Sequence, residues 1–163
     1  MVAGVARQVE RCEEALDAQE VGNAVYGLQS LAGGGETRVL VAALAPQVER
    51  CKQALDAQAV GNAVYGLKSL ADCGETRALV AALAPQVERC KQALNAQEVG
   101  NAVYGLQSLA ACGETRVLVA ALAPQVERCK QALVAQAVGN AADGSKTPGD
   151  LLETRGRVAG VAD

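Results

Sequence analysis

The chain has 163 residues, half of them hydrophobic, with 15 basic against 18 acidic side chains and no histidine. A net charge of −3 provides no general basic field of the kind that phosphate backbones require. The missing histidine removes the commonest general base, and no Ser or Cys has a base at motif spacing, so no enzyme and no catalytic residue is expected.

Phe, Trp and Ile are absent, which leaves Ala, Leu, Val and Cys to build the core. Ala and Leu are strong helix formers, and the residues that favour strands are mostly missing, so the chain is expected to be all-α.

Residues 1–16 read as the second half of a helix. Their string V-A-G-V-A-R-Q-V-E-R-C matches V-A-A-L-A-P-Q-V-E-R-C at 41–51, with Arg7 where the later copies hold Pro46, Pro85 and Pro124. The segment is therefore repeat rather than a targeting sequence. The string Q-V-E-R-C-K-Q-A-L at 47–55 returns at 86–94, and nearly so at 8–16 and 125–133; Cys12, Cys51, Cys90 and Cys129 mark a period of 39 residues. A fixed period of this size indicates a stacked repeat array. The expected organisation is one array over 1–163: a partial repeat at 1–16, repeats at 17–55, 56–94 and 95–133, and a degenerate partial repeat at 134–163.

The repeat at 56–94 stands for all three. Asp56 is a good N-cap, as are Asp17 and Asn95, and Glu20 and Glu98 follow three residues after theirs in capping-box register. Val60, Ala63, Val64, Leu67, Leu70 and Ala71 form a helical stripe, which predicts a helix A over about 57–71 closed by Gly74. Leu79, Leu83, Val87, Cys90 and Leu94 continue a second stripe through Pro85 without losing phase. That predicts one helix B over 75–94, kinked at the proline, rather than a break with Pro85 opening a third helix. Gly61 and Gly66 recur at the repeat spacing inside helix A, where glycine weakens a helix, so they are expected to mark close backbone contact between helices. The whole is expected to be an α-solenoid of helix pairs, wound as a right-handed superhelix.

The last stretch loses half a helix to the turn-rich residues 143–150 while keeping the repeat phase at Glu153-Thr154-Arg155. The array thus begins and ends within a helix and lacks polar caps. This suits a fragment of a longer repeat protein with no function alone, frayed ends, or head-to-tail joining of one copy to another.

Four cysteines recur at one repeat position and Cys73 and Cys112 share another. Helix-to-helix spacing of about 8–10 Å exceeds disulfide reach, and no C-x-x-C pair or histidine completes a zinc set. The thiols are expected as small hydrophobes in an intracellular, reducing compartment, cytoplasmic or (given a targeting segment outside this chain) organellar. No run is long and apolar enough to span a membrane.

Helix A reads A-Q-A-V-G-N-A-V-Y-G-L-K-S-L at 57–70, with near copies at 18–31 and 96–109. This resembles the helical segment of octotricopeptide repeats through Gln58, Asn62, Leu67 and Leu70, with Tyr65 standing in the family's tryptophan position. The resemblance implies an α-solenoid that binds RNA in organelles. The repeat length and the prolines are also similar to HEAT and armadillo repeats, which implies protein binding.

The candidate binding residues follow. Tyr26, Tyr65 and Tyr104 are the only aromatic residues, with Asn23, Asn62 and Asn101 three positions before them on the same flank. A tyrosine ladder suits base stacking, or packing between helices. Arg50, Arg89 and Arg128, beside Glu49, Glu88 and Glu127, form a charge row that suits a solvated face, or a phosphate-binding one. Residues 36–74 carry four acids and four bases and 75–113 carry three of each, so stacking repeats accumulates no basic charge. The near-invariance of the repeats argues against readout of a mixed base sequence. The expected function is a non-enzymatic scaffold binding a protein partner or itself, with single-stranded RNA as the alternative. No cofactor, metal or small-molecule substrate is expected.

Overall fold

A computed structural model describes residues 1–31 and 33–130. Among these the protein is all-α, without a strand, and consists of α1 (Val2–Arg11), α2 (Ala18–Gly27), α3 (Gly35–Arg50), α4 (Ala57–Gly66), α5 (Gly74–Glu88), α6 (Ala96–Gly105) and α7 (Gly113–Glu127). The degenerate repeat expected at 134–163, with its loop at 143–150, lies outside the described residues.

The A helices α2, α4 and α6 start where their caps stand. Asp17 accepts from the Glu20 N–H at 2.8 Å while Glu20 accepts from the Asp17 N–H at 2.9 Å, and Asn95 and Glu98 form the same reciprocal box. Asp56 caps the Ala59 N–H at 2.7 Å without the return bond, since alanine has no acceptor to offer. The A helices end earlier than the apolar stripe suggested. After Gly66 the chain tightens into a 3-10 turn, Leu67–Ser69, and Leu70 is extended. Leu70 is still buried, reached from extended backbone. Gly74 does not close helix A; it is the first residue of α5, with Cys73 at the N-cap.

The B helices α3, α5 and α7 run continuously past Pro46, Pro85 and Pro124, so no third helix opens at the proline. Proline leaves the carbonyl four residues earlier without its helical donor. Those carbonyls belong to the exposed Ala42, Ala81 and Ala120, where water can serve instead. Helix B also ends before Leu94: α5 stops at Glu88, and Leu94 reaches the core from the irregular segment that follows.

Each helix packs chiefly on its counterpart one repeat away. α1, α3, α5 and α7 form one row and α2, α4 and α6 a second, with the 3-10 turns packed on one another in the same order. The shared core is Val21, Val25, Leu28, Val60, Val64 and Leu67 from the A row, with Leu44, Leu79, Leu83 and Leu118 from the B row. The A row is drawn tight by glycine. A Cβ on Gly66 would lie 2.0 Å from the Val25 carbonyl oxygen, and one on Gly105 2.0 Å from that of Val64. At Gly61 the nearest atom would be the Glu98 Cα, 3.2 Å away. The close contact anticipated at Gly61 and Gly66 is therefore present, and far tighter at Gly66.

Candidate binding surface

The A row sets the tyrosines in line. Tyr26 and Tyr65 stack with ring centroids 5.7 Å apart and planes 23° from parallel; Tyr65 and Tyr104 do so at 5.8 Å and 26°. This spacing follows from the glycine contacts, which bring successive A helices close enough for rings one repeat apart to touch. Lys68, which replaces the glutamine of the other two repeats, donates from Nζ to the Tyr65 hydroxyl at 2.7 Å. Its ammonium lies 4.2 Å from the Tyr65 ring centroid and 5.6 Å from that of Tyr104, a cation–π contact with both.

Asn23 is exposed, and Asn62 and Asn101 are half-buried on the same flank. None of the three amides has a hydrogen-bond partner among the described residues. The row thus offers, once per repeat, a primary amide three positions before a stacked ring on the same helix. Each amide can donate and accept at once. Because the ring faces lie against one another, a base could enter between them only by pushing them apart.

Arg50, Arg89 and Arg128 sit elsewhere and hold the preceding repeat. Arg89 donates to the Cys51 carbonyl at 3.2 Å, to the Lys52 carbonyl, and to Gln86 Oε1 at 3.0 Å. Gln86, buried, donates from Nε2 to the Val48 carbonyl at 3.1 Å. Arg50 and Gln47 treat the carbonyls of Val9, Cys12 and Glu13 in the same way. Arg128 and Gln125 reach the Cys90 carbonyl at 3.3 and 2.7 Å. The last carbonyls of a helix have no intrahelical donor, and cations near them are favoured by the helix dipole. Within the first two repeats, a further glutamine ties the B segment to the start of its own A helix: Gln92 Oε1 accepts from the Ala57 N–H at 3.1 Å, and Gln53 does the same for Ala18 at 3.3 Å. Sequence reading missed the clamp of Gln86 and Arg89 and the tie at Gln92. The available signal was Gln86 standing seven residues after Leu79, on the buried stripe.

Among the described residues, two ion pairs involve the B helices. Arg38 of α3 reaches Glu75 of α5 at 3.0 Å, and Arg77 holds Asp72 at 2.9 Å. Bonding to its own N–H at the start of α5, together with Arg38, holds the Glu75 carboxyl down to about 2. The open groove beside the first pair is lined by Ala45, Pro46 and Glu49, with no converging set of acid, base and nucleophile. Cys51 and Cys90 are buried, Cys12, Cys73, Cys112 and Cys129 half-buried, and none is in a disulfide. Burial pushes the Cys90 thiol up from its ordinary value. Among the described residues no cluster of metal-ligating side chains occurs, and no helix is long and apolar enough to cross a membrane.

Comparison with protein-family models, curated proteins and solved structures finds no significant match to this chain.

Proposed function

We propose that the two rows of helices are a stretch of α-solenoid acting as a non-enzymatic scaffold, and that its ligand is an extended protein segment laid along the asparagine–tyrosine row. The observation that carries this reading is the line of Asn23, Asn62 and Asn101 amides without a hydrogen-bond partner among the described residues, each three positions before a tyrosine of the stacked ladder. A peptide group presents one N–H and one C=O, which a primary amide matches. Two residues of extended chain advance about 6.4–6.8 Å, close to the 5.7 and 5.8 Å steps between rings. The likeness to HEAT and armadillo repeats points the same way.

The alternative ligand, single-stranded RNA, draws on the likeness to octotricopeptide repeats. It is less favoured because the rings stack on one another, Lys68 is the only cation within the ladder among the described residues, and Arg50, Arg89 and Arg128, though exposed, spend guanidinium donors on main-chain carbonyls.

The test offers a random peptide display library and a random single-stranded RNA pool to the wild type and to the triple variant Asn23→Ala, Asn62→Ala, Asn101→Ala. Peptides should be enriched on the wild type, with affinity lowered tenfold or more in the variant, as expected for loss of up to three hydrogen bonds of about 1 kcal/mol each. RNA retention that falls steeply with salt and disappears when the tyrosines become alanine would replace the protein reading with the RNA one. Enrichment of neither would remove both.

A further inference from the structure

We infer that Lys68 makes the row selective, so that the extended segment it binds carries an acidic side chain, Asp or Glu, at the residue lying over the middle repeat. The inference rests on the peptide reading of the row and adds which side chain the peptide must bring.

Across 17–31, 56–70 and 95–109 the copies differ at three positions only, and two of these are taken up within the fold. Asp17, Asp56 and Asn95 each cap a helix, while Glu20 and Glu98 return the capping bond and Ala59 is buried. The third difference, Gln29, Lys68 and Gln107, falls on the tyrosine flank. Asn62, Tyr65 and Lys68 follow one another at three-residue steps, which places them along one side of the helix and its 3-10 turn. The middle repeat thus presents amide, ring and ammonium in line, where the repeats to either side present amide, ring and amide.

Lys68 is half-buried and held in place. Its bond to the Tyr65 hydroxyl and its position over the Tyr65 and Tyr104 rings fix the ammonium without supplying an opposite charge. Among the described residues the ion pairs are Arg38–Glu75 and Arg77–Asp72, and neither includes Lys68. An ammonium has three N–H donors, of which the Tyr65 hydroxyl takes one. A carboxylate brought by the ligand meets a donor already ordered, so little side-chain entropy is lost on pairing. One ammonium matches one carboxylate. Side chains of an extended strand alternate, so every second residue faces the row. The residues two positions to either side of the acid lie over Gln29 and Gln107, neutral amides that call for no charge.

The test is a random peptide display library selected on the full chain, as wild type, Lys68→Gln and Lys68→Glu. Glutamine stands at this position in the other two repeats, so Lys68→Gln is expected to keep the wild-type far-UV circular dichroism. Peptides selected on the wild type should share one Asp or Glu, Lys68→Gln should lose that preference, and Lys68→Glu should select Lys or Arg there instead. For a selected peptide, replacing the acid by its amide should weaken binding about threefold to tenfold on the wild type, less at high salt, and hardly at all on Lys68→Gln. If Lys68 only steadies the rings or suits the helix end, Lys68→Gln weakens the acid and amide peptides alike, and the inference is overturned. Peptides enriched on the wild type without a shared acid also overturn it, while leaving the peptide reading in place. Enrichment of no peptide at all removes both.

Discussion

Replacing Gly66 by alanine tests the close stacking of the A row directly. The added Cβ would stand 2.0 Å from the Val25 oxygen and 2.5 Å from its carbonyl carbon, both main-chain atoms that cannot rotate aside. Carbon prefers about 3.5 Å or more to such neighbours, so α4 must back away from α2 by roughly 1–1.5 Å. Overpacking of this kind costs about 1–3 kcal/mol, and more where backbone must move. The gain in helix propensity offsets at most about 1 kcal/mol. A net loss of about 2 kcal/mol is expected, which lowers the melting temperature of a chain this size by roughly 4–8 °C. Gly27→Ala supplies the control, because it carries the same propensity gain with nothing within 4 Å to strike. Its melting temperature should hold or rise slightly. Thermal melts followed by far-UV circular dichroism, run at dilute concentration, give both values. Equal shifts for the two variants would refute the claim that glycine is needed at this position for backbone approach.

Two further outcomes follow from the polar contacts. Gln86→Leu removes the donor to the Val48 carbonyl and the acceptor for Arg89 inside a buried joint, and should cost about 1–3 kcal/mol in urea denaturation. Lys91→Ala, exposed five residues later, should stay within about 0.5 kcal/mol, and similar midpoints for the two would contradict the clamp. Glu75 is held below its ordinary value, at about 2, so the folded state favours its ionised form. Its contribution is complete above about 4.5 and is lost as pH falls from there through about 2. Melting temperature plotted against pH should fall less over that window in Glu75→Gln than in the wild type; parallel curves would show that the carboxylate contributes nothing there.

Much of this architecture was readable from residue order because local chemistry dictates it. Asp17, Asp56 and Asn95 start their helices where capping residues should, and the stripe from Val60 to Leu67 is buried as its spacing requires. Gly66 was legible as a contact point because no local reason explains glycine inside a helix. The boundaries were less legible. Leu70 and Leu94 keep helical phase yet lie outside helices, since a side chain can reach the core from extended backbone as well as from a helix. Gly74 follows an apolar stripe and resembles a stop signal, but the stripe had already left the helix at Gly66. The clamp was the least visible element. Gln86 and Arg89 bond to main-chain atoms of residues 48, 51 and 52, and a carbonyl is the same whatever residue carries it, so no partner is written in the sequence. The ligand of the asparagine–tyrosine row is barely legible for a related reason, because near-identical copies carry little pattern to match against a partner.

That indifference of the clamp has a consequence for how such a chain can change. Gln86 and Arg89 grip main-chain atoms of the repeat before them, Gln92 grips one within its own repeat, and Gly66 answers to main-chain atoms alone. Any unit with the Q-V-E-R-C-K-Q string can therefore sit behind any other. An in-frame gain or loss of 39 residues keeps the main-chain contacts of each joint, so the number of units can change while that part of the joint is held fixed. Single substitutions at Gln86 or Gly66 damage a joint directly, whereas copying or deleting a whole unit need not. Length is the variable that this molecule can alter most cheaply.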